Sequence, residues 1–298
     1  MKILLTGASG QLGNAILNTK PSIMLEEEIN LISTTRDEID LSNPDLCKKT
    51  IIKLNPDWVI NAAAYTMVDQ AEDFPDLAFT VNSQAPKAMA EALKFTGGKL
   101  LQISTDFVFD GQQGIPYKPF DKRKPLNIYG ETKAKGEEAV EKILISEGQG
   151  KILRTSWLMG PIGNNFALTM LRMHREKNQI NVVSDQIGSP TSTIKLALAC
   201  WRILKKDLEK KKFSDVLHYC DSGVASWYDV AIAVGEISKR IGIIDEPAKV
   251  NPIPALDWKT KAKRPNFSVL ENLYTIKELN LEPVHWRNAL EDMIKRIN

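Results

Sequence analysis

The stretch KILLTGASGQLGNAIL, residues 2–17, decides the fold of this chain. Its apolar run after Lys2 indicates a short buried strand, and the residues after Gly13 begin a helix. Gly7, Gly10 and Gly13 lie between them with the spacing G-x-x-G-x-x-G. Glycines in this position permit a tight turn, close approach of a pyrophosphate and close packing of the helix. We therefore predict a strand–turn–helix unit that binds a dinucleotide at the helix N-terminus.

The alternation of strands and helices continues through the first half of the chain. Short apolar segments recur between helical stretches, which is the rhythm of a parallel sheet covered by helices on both faces. We predict the α/β class, with a Rossmann-type doubly wound parallel sheet and a smaller C-terminal α/β substrate domain. Ligands of such sheets bind beyond the carboxyl ends of the strands. The strands predicted after the first one cover residues 30–34, 58–60, 99–104 and 151–155.

The alternation weakens near residue 160, where Pro, Asn and Gly become frequent. We predict an NAD(P)-binding domain over residues 1–160 and a mainly substrate-binding domain over residues 161–298. A helix over residues 191–205 and a strand over residues 216–219 are expected to return to the first sheet, so that residues 191–220 belong with the first domain.

Three smaller expectations concern helices, loops and aromatic residues. Residues 68–95 are expected to be one continuing helical stretch, and residues 182–191 are expected to form a loop. Scattered aromatic residues are more often core than ligand platform, so Trp227, Trp258 and Trp286 are interpreted as core.

The end of the second predicted strand bears on the choice of cofactor. An acidic residue there binds the adenosine ribose hydroxyls, whereas an arginine accommodates a 2′-phosphate. Arg36 therefore favours NADPH, while the neighbouring Asp37 leaves NADH possible. The third strand leads into Ala62, Ala63 and Ala64, whose small side chains allow a flat cofactor to approach closely.

Tyr129 and Lys133 form the candidate catalytic pair. They are four residues apart at the start of a segment, 131–145, whose composition is typical of a helix. On a helix their Cβ atoms lie about 5–6 Å apart on one face. An ammonium group beside a phenol lowers the phenol's pKa from about 10, and such a tyrosine can exchange a proton with a carbonyl oxygen. The hydroxyl of Thr105, at the end of the fourth strand, can polarise the same carbonyl.

Composition excludes several classes of function. The net charge is +2 with both signs mixed along the chain, so there is no electrostatic footprint for nucleic acid or an anionic membrane. No signal peptide is recognised and no apolar run reaches about 18 residues, so the chain is expected to be cytoplasmic. Cys47, Cys200 and Cys220 are few and widely spaced, and imply no disulfide framework.

Taken together, these motifs resemble the extended short-chain dehydrogenase/reductases, and within them the dTDP-4-dehydrorhamnose reductase family. The glycine turn and the Tyr/Lys pair indicate only the superfamily. The narrower resemblance depends on blocks spread nearly from end to end, namely residues 61–66, 68–69, 71–72, 104–111, 125–133, 154–157, 164–166, 185–186, 188, 190–191, 264–265 and 268.

The resemblance implies that NADPH or NADH reduces the 4-keto group of dTDP-4-dehydro-L-rhamnose to give dTDP-L-rhamnose. It implies that Tyr129 donates a proton to the C4 oxygen and that Thr105 hydrogen-bonds the keto oxygen. Lys133 would hold the nicotinamide ribose and favour ionised Tyr129. The implied sugar-pocket residues are Thr66, Val68, Phe107, Trp157 and Asn165, and the cofactor-binding residues are Gly7, Gly10, Gln11, Leu12, Arg36, Asp40, Leu41, Ala62, Ala63, Ala64, Tyr65 and Lys133.

Two positions depart from the family pattern. Phe107 stands where members often carry tyrosine, so a hydrogen bond from that hydroxyl to the substrate is absent. Some relatives bind Mg²⁺ between subunits through a glutamate in the first helix, where this chain has Ala15. We therefore expect no metal, and either a monomer or a homodimer.

Two other functions share some of these motifs. A nucleotide-sugar epimerase or 4,6-dehydratase has the glycine turn and the Tyr/Lys pair, but dehydratases commonly carry Asp-Glu after the Ser or Thr, and here Asp106 is followed by Phe107. A non-catalytic protein like the regulatory subunit of methionine adenosyltransferase has similar blocks. The complete set of Thr105, Tyr129 and Lys133 favours an enzyme over this non-catalytic alternative, and the family resemblance implies a dTDP-sugar as its substrate.

Overall fold

The computed structural model describes residues 1–297. The strands of this part of the chain are β1 (Lys2–Thr6), β2 (Ile23–Met24), β3 (Glu27–Glu28), β4 (Asn30–Thr34), β5 (Trp58–Asn61), β6 (Lys99–Thr105), β7 (Gly150–Thr155), β8 (Leu158–Met159), β9 (Gln179–Val183), β10 (Ile187–Gly188), β11 (Thr191–Ser192), β12 (Val216–His218), β13 (Ala225–Ser226) and β14 (Lys249–Ile253). Its α-helices are α1 (Gln11–Asn18), α2 (Pro44–Leu54), α3 (Val68–Ala71), α4 (Pro75–Phe79), α5 (Ala85–Thr96), α6 (Ile128–Ile143), α7 (Phe166–Glu176), α8 (Thr193–Leu208), α9 (Trp227–Arg240), α10 (Leu273–Glu278) and α11 (Trp286–Ile294).

Six strands form one parallel sheet in the order β12-β7-β6-β5-β1-β4. In its register, Ile3 of β1 lies opposite Leu31 of β4 on one side and Trp58 of β5 on the other. The central strands are buried along almost their whole length because helices cover both faces of the sheet. The predicted Rossmann-type parallel sheet is confirmed, and β1 and β4 have the predicted bounds.

Apolar side chains fill the space on both faces of this sheet. Helices α1 and α8 pack on one face, where Ile16 and Cys200 are fully buried. Helices α2, α5 and α6 pack on the other face around Ile51 and Met89. Helix α10 also contributes Ile276 to the first of these clusters. The sheet is therefore rigidly held between two helical layers, with its strand ends left accessible.

The C-terminal half forms a separate apolar cluster around α7, α9 and α11, with β9 and β14. Helix α8 and strand β12 lie instead with the large sheet, since α8 packs against α1 and β12 pairs with β7. The division into residues 1–160 with 191–220, and the remainder of 161–298, stays a proposal that these contacts support.

Three of the smaller expectations are wrong. The single helical stretch over residues 68–95 is interrupted after α3, because Pro75 disfavours helical backbone at Phe74. The expected loop over residues 182–191 contains the end of β9, which pairs with β14, and the short β10. Trp258 is 55% exposed rather than core.

Two further findings describe residues 1–297. Within them, no helix has both the length and the apolar character that crossing a bilayer would require. Cys47, Cys200 and Cys220 are all buried thiols without a disulfide partner in the same part of the chain.

Candidate active site

A cavity of about 680 Å³ lies at the carboxyl ends of the central strands. Such a position is expected for ligands of an open α/β sheet. Every residue predicted above for catalysis, cofactor binding or the sugar pocket lies on its wall, with the exception of Asn165. Motifs that are far apart in the sequence therefore converge on one cleft, although the role of each residue stays a prediction.

The glycine turn is packed closely against its neighbours. Gly7 has φ of 71°, a left-handed conformation that favours glycine, and a Cβ there would lie 2.8 Å from the backbone of Ala63. A Cβ on Gly13 would lie 2.1 Å from the carbonyl oxygen of Gly7. Gly10 begins α1 without a side-chain cap, so the first N–H groups of the helix are available to phosphate oxygens.

Arg36 and Asp40 form the end of the cavity predicted to hold the adenosine. The Arg36 side chain is 75% exposed, and its Nε lies 3.6 Å from Oδ1 of Asp40. A hydrogen bond from the backbone N–H of Ser42 holds the pKa of Asp40 below its usual value, and Arg36 lowers it further. The cavity wall includes both residues but not Asp37, the residue that left NADH possible.

Helix α6 carries the candidate catalytic pair into the cavity. The side chain of Asn127 caps this helix by accepting a hydrogen bond from the N–H of Gly130 at 2.8 Å. A Cβ on Gly130 would lie 2.2 Å from the carbonyl oxygen of Phe107, so the start of α6 lies directly against the turn that follows β6. The rings of Phe107 and Tyr129 meet edge to face, with centroids 5.7 Å apart.

The Lys133 ammonium is held at the base of the site. Its Nζ donates a hydrogen bond to the carbonyl oxygen of Ile103 at 2.7 Å, which leaves further N–H groups for a ligand. Burial lowers the pKa of Lys133 to about 8, and the Glu137 carboxylate opposes that decrease. Lys133 therefore remains mostly protonated at neutral pH.

The expectation that Lys133 favours ionised Tyr129 stays a prediction, and burial opposes that ionisation in the protein alone. Burial raises the pKa of Tyr129 to about 12; the Asp106 carboxylate adds to this rise and the Thr105 hydroxyl opposes it. Removing the phenol from water disfavours its charged form more than its neighbours favour that form. Tyr129 consequently keeps its proton at neutral pH, the state required of a proton donor.

An aromatic wall closes the other end of the cavity. Trp157 stacks on Trp227 with ring centroids 3.5 Å apart, and Phe166 lies 4.7 Å from Trp227. Trp157 has φ of 44°, an unusual conformation for a bulky residue. Gly188 makes room for this indole, since a Cβ there would lie 2.4 Å from it. Trp227 packs against the apolar cluster of α7, α9 and α11, as interpreted from the sequence, and it also lies on the cavity wall.

Asn165 is the predicted residue that does not reach the cavity wall. Its amide nitrogen donates to Oε1 of Gln11 and to the carbonyl oxygen of Gly160, each at 2.8 Å. Its oxygen caps α7 by accepting from the N–H of Leu168 at 3.0 Å. In this position Asn165 ties α7 and the preceding loop to Gln11 of the glycine turn, and its contact with a sugar stays a prediction.

Arg264 is a cavity residue to which the sequence analysis assigned no role. Its guanidinium makes a bidentate ion pair with Asp69, at 3.2 and 2.8 Å, and so connects the C-terminal part of the chain to α3. The only sequence signal for Arg264 was its place in one of the matching blocks.

No group of three His, Cys, Asp or Glu side chains within residues 1–297 is arranged to hold a metal. The expected lack of a metal stays a prediction.

Comparisons with known proteins found a matching family model and similar proteins and structures. The family model described as the RmlD substrate binding domain matches residues 1–298. A dTDP-4-dehydrorhamnose reductase from Aggregatibacter actinomycetemcomitans is 35% identical over 294 residues, which cover 98% of each chain. The crystal structure of a dTDP-4-dehydrorhamnose reductase from Clostridium acetobutylicum matches with a TM-score of 0.86 and 36% identity over 99% of both chains. The dTDP-4-dehydrorhamnose reductase from Bacillus anthracis, solved in complex with NADP, matches with a TM-score of 0.86 and 30% identity over 99% of this chain and 98% of that one.

Proposed function

This chain belongs to the RmlD substrate binding domain family, and on that basis we propose that it reduces the 4-keto group of dTDP-4-dehydro-L-rhamnose to give dTDP-L-rhamnose, with NADPH as reductant. Relatives that match over nearly the whole chain carry the name of this reductase. The observation that carries the proposal is the convergence of the glycine turn, Thr105, Tyr129 and Lys133 on one cavity.

The residues of the cavity fit a nicotinamide dinucleotide. Gly7 and Gly13 leave no room for a side chain at the turn, so backbone N–H groups lie open to a pyrophosphate. Arg36 supplies a cation for a 2′-phosphate, and the ionised Asp40 accepts hydrogen bonds from ribose hydroxyls. The related reductase from Bacillus anthracis was solved with NADP, and this supports NADPH as the cofactor. When bound, the nicotinamide supplies the hydride.

The protein's own contribution is to position the substrate and supply a proton. Tyr129 donates its proton to the C4 oxygen while that oxygen gains negative charge. Lys133 hydrogen-bonds the nicotinamide ribose, and its positive charge stabilises the phenolate that remains. Thr105 lies beside Tyr129 and hydrogen-bonds the same oxygen, a role that requires a donated proton.

The substrate sugar fits the aromatic end of the cavity. Thr66, Val68, Phe107 and Trp157, the residues that the family pattern implies for the sugar pocket, all line the cavity. Trp227 supports Trp157 by stacking on it. Because Phe107 has no hydroxyl, the pocket holds the sugar at this point by contact with an apolar ring.

A coupled spectrophotometric assay tests the proposal. The 4-keto-rhamnose nucleotide is generated in situ from dTDP-glucose with a purified dehydratase and epimerase, and nicotinamide absorbance is followed with NADPH and then with NADH. We expect oxidation that depends on both upstream enzymes and is faster with NADPH. Oxidation without the epimerase would indicate a different keto-sugar. Cofactor binding without any oxidation would favour the non-catalytic alternative.

A further inference from the structure

Asp106 is a buried carboxyl group next to the reacting groups. It begins the turn after β6 and is 2% exposed. Its Oδ1 accepts a hydrogen bond from Oγ1 of Thr105 at 3.0 Å. Its Oδ2 is buried and has no partner among residues 1–297. Thr105 also accepts a hydrogen bond from the N–H of Phe107 at 3.2 Å.

The direction of the bond between Thr105 and Asp106 limits what Thr105 can do. A threonine hydroxyl has a single proton, and an ionised carboxylate can only accept hydrogen bonds. While Asp106 is ionised, the proton of Thr105 is therefore committed to it, and Thr105 offers the cavity only an acceptor. If Asp106 is protonated, its O–H can donate to Thr105, and the threonine proton becomes available to an oxygen in the cavity.

We propose that Asp106 is a positioning residue that determines whether Thr105 donates to the keto oxygen of the substrate. With a proton on Asp106, Thr105 and Tyr129 both donate to that oxygen. With Asp106 ionised, Tyr129 is the remaining donor of the pair. The inference rests on the proposed reductase function, since it deepens the role given to Thr105 there.

The surroundings of Asp106 allow it to change protonation state in the physiological range. Burial raises its pKa to about 6, and the nearby hydroxyl groups of Ser268 and Thr105 oppose this rise. The titratable groups that face it are Tyr129 from α6 and Cys220 from the segment after β12. Burial raises the pKa of each of them to about 12, so both are neutral when Asp106 titrates.

Two nearby groups, Asp221 and Lys133, have pKa values close to that of Asp106, so their titration has to be distinguished from that of Asp106. Burial raises the pKa of Asp221, which lies near Cys220, to about 7. Lys133 has a pKa of about 8. Asp221 is outside the cavity wall and binds the backbone N–H of Ser192, so Asp221→Asn is the matched control for removing a buried carboxyl.

The test is the pH dependence of kcat/KM for the keto-sugar, measured between about pH 5 and about pH 8, where Asp106 passes from its acid to its basic form. In the unsubstituted protein we expect kcat/KM to fall by about 10-fold or more as pH rises, since one preorganised donor to a developing oxyanion contributes up to about 10²–10³-fold. In Asp106→Asn the amide N–H donates to Thr105 at every pH, so this fall should disappear.

Three further variants, two at Thr105 and one at the control residue Asp221, show whether the fall in kcat/KM depends on the Thr105 hydroxyl and on Asp106. Thr105→Val should lower kcat/KM at low pH, where Thr105 donates, and leave it nearly unchanged at high pH, so the fall should disappear. Thr105→Ser should retain the fall. Asp221→Asn should keep the profile of the unsubstituted protein. An unchanged profile in Asp106→Asn would overturn the proposal, as would loss of the fall in Asp221→Asn.

Infrared difference spectroscopy measures the protonation state of Asp106 without any turnover of substrate. A carboxylic acid band that titrates near pH 6 should be present in the unsubstituted protein and absent in Asp106→Asn. Its absence from the unsubstituted protein would overturn the inference. Lack of keto-sugar turnover together with a titrating Asp106 band would instead count against the reductase function and against the donor role given to Thr105.

Discussion

Tyr129 and Lys133 have pKa values displaced in opposite directions by the same cause. Burial raises that of the phenol to about 12 and lowers that of the ammonium to about 8. The two groups are thus a neutral acid and a cation at neutral pH, which is the pair needed to give a proton to a keto oxygen and stabilise the resulting phenolate. Their i, i+4 spacing on α6 places both groups on one face of the helix, and burial of that face sets the two pKa values.

Tyr129→Phe should reduce turnover by about 10²–10⁴-fold, the usual contribution of a general acid. The Phe ring retains the edge contact with Phe107, so the variant should fold and bind NADPH with nearly unchanged affinity. Steady-state kinetics and a fluorescence titration of NADPH measure the two quantities. Tyr274→Phe, which removes a hydroxyl outside the cavity, is the control. Near-normal turnover by Tyr129→Phe would exclude it as the proton donor.

Arg36→Ala should weaken NADPH binding more than NADH binding, because only NADPH carries the 2′-phosphate that the guanidinium would neutralise. The residue is exposed, and its one ion pair within residues 1–297 is with Asp40 at 3.6 Å, so little change in stability is expected. Dissociation constants for both cofactors provide the measurement. Arg202, exposed on α8, gives the control substitution Arg202→Ala. Equal weakening for both cofactors would count against the 2′-phosphate role.

At the scale of secondary-structure elements, the site depends on how closely α1 approaches the turn that precedes it. Gly13 lies in the first turn of α1 and is in contact with the backbone of Gly7 and Ala8. Neither contact can relax by rotating a side chain, since both partners are main-chain atoms. Close packing here sets the direction of the helix N-terminus toward the pyrophosphate.

Gly13→Ala should destabilise the protein by about 1–3 kcal/mol, the range for overpacking a buried site. It should also weaken NADPH binding, because the backbone of Gly7 has to move away from a Cβ placed 2.1 Å from its oxygen. Thermal unfolding and NADPH titration measure both effects. Gly114→Ala is the control, since a Cβ there meets nothing within 4 Å. Similar behaviour of the two variants would show that the approach of α1 is not critical.

At the scale of the whole molecule, a buried ion pair connects segments that are distant in the sequence. Arg154 of β7 donates to Glu137 of α6 through Nε at 2.8 Å and Nη2 at 2.6 Å, with both side chains almost completely buried. Arg123, in the loop before α6, also donates to Glu137. Burial opposes ionisation of Glu137, but these arginines hold its pKa below the usual value. The cluster holds α6, and with it Tyr129, against the sheet.

Arg154→Met should destabilise the protein by about 3–5 kcal/mol, because it leaves the buried Glu137 carboxylate short of a partner. The double substitution Arg154→Met/Glu137→Leu should recover part of that loss, since it removes both charges together. Denaturant unfolding is the measurement. Lys295, an exposed residue that pairs with Glu291, gives the control Lys295→Met, for which a much smaller effect is expected. Equal effects of Arg154→Met and Lys295→Met would contradict this account.

The sequence by itself determined the strands of the sheet, the glycine turn and the Tyr129–Lys133 pair. Each is a local pattern: a short apolar run, a glycine spacing next to a strand, or an i, i+4 relation on one helix. The parallel topology then places the strand ends, and with them Thr105, at one edge. These features were predictable because neighbouring residues alone specify them.

Only the tertiary structure decided the rest of the site. It placed Trp227 and Arg264 on the cavity wall and turned Asn165 toward Gln11. It also set the rise in the pKa of Tyr129 and enclosed Asp106. Burial and long-range contacts arise from packing between segments that are far apart along the chain. A local sequence pattern does not show which of these segments will be in contact.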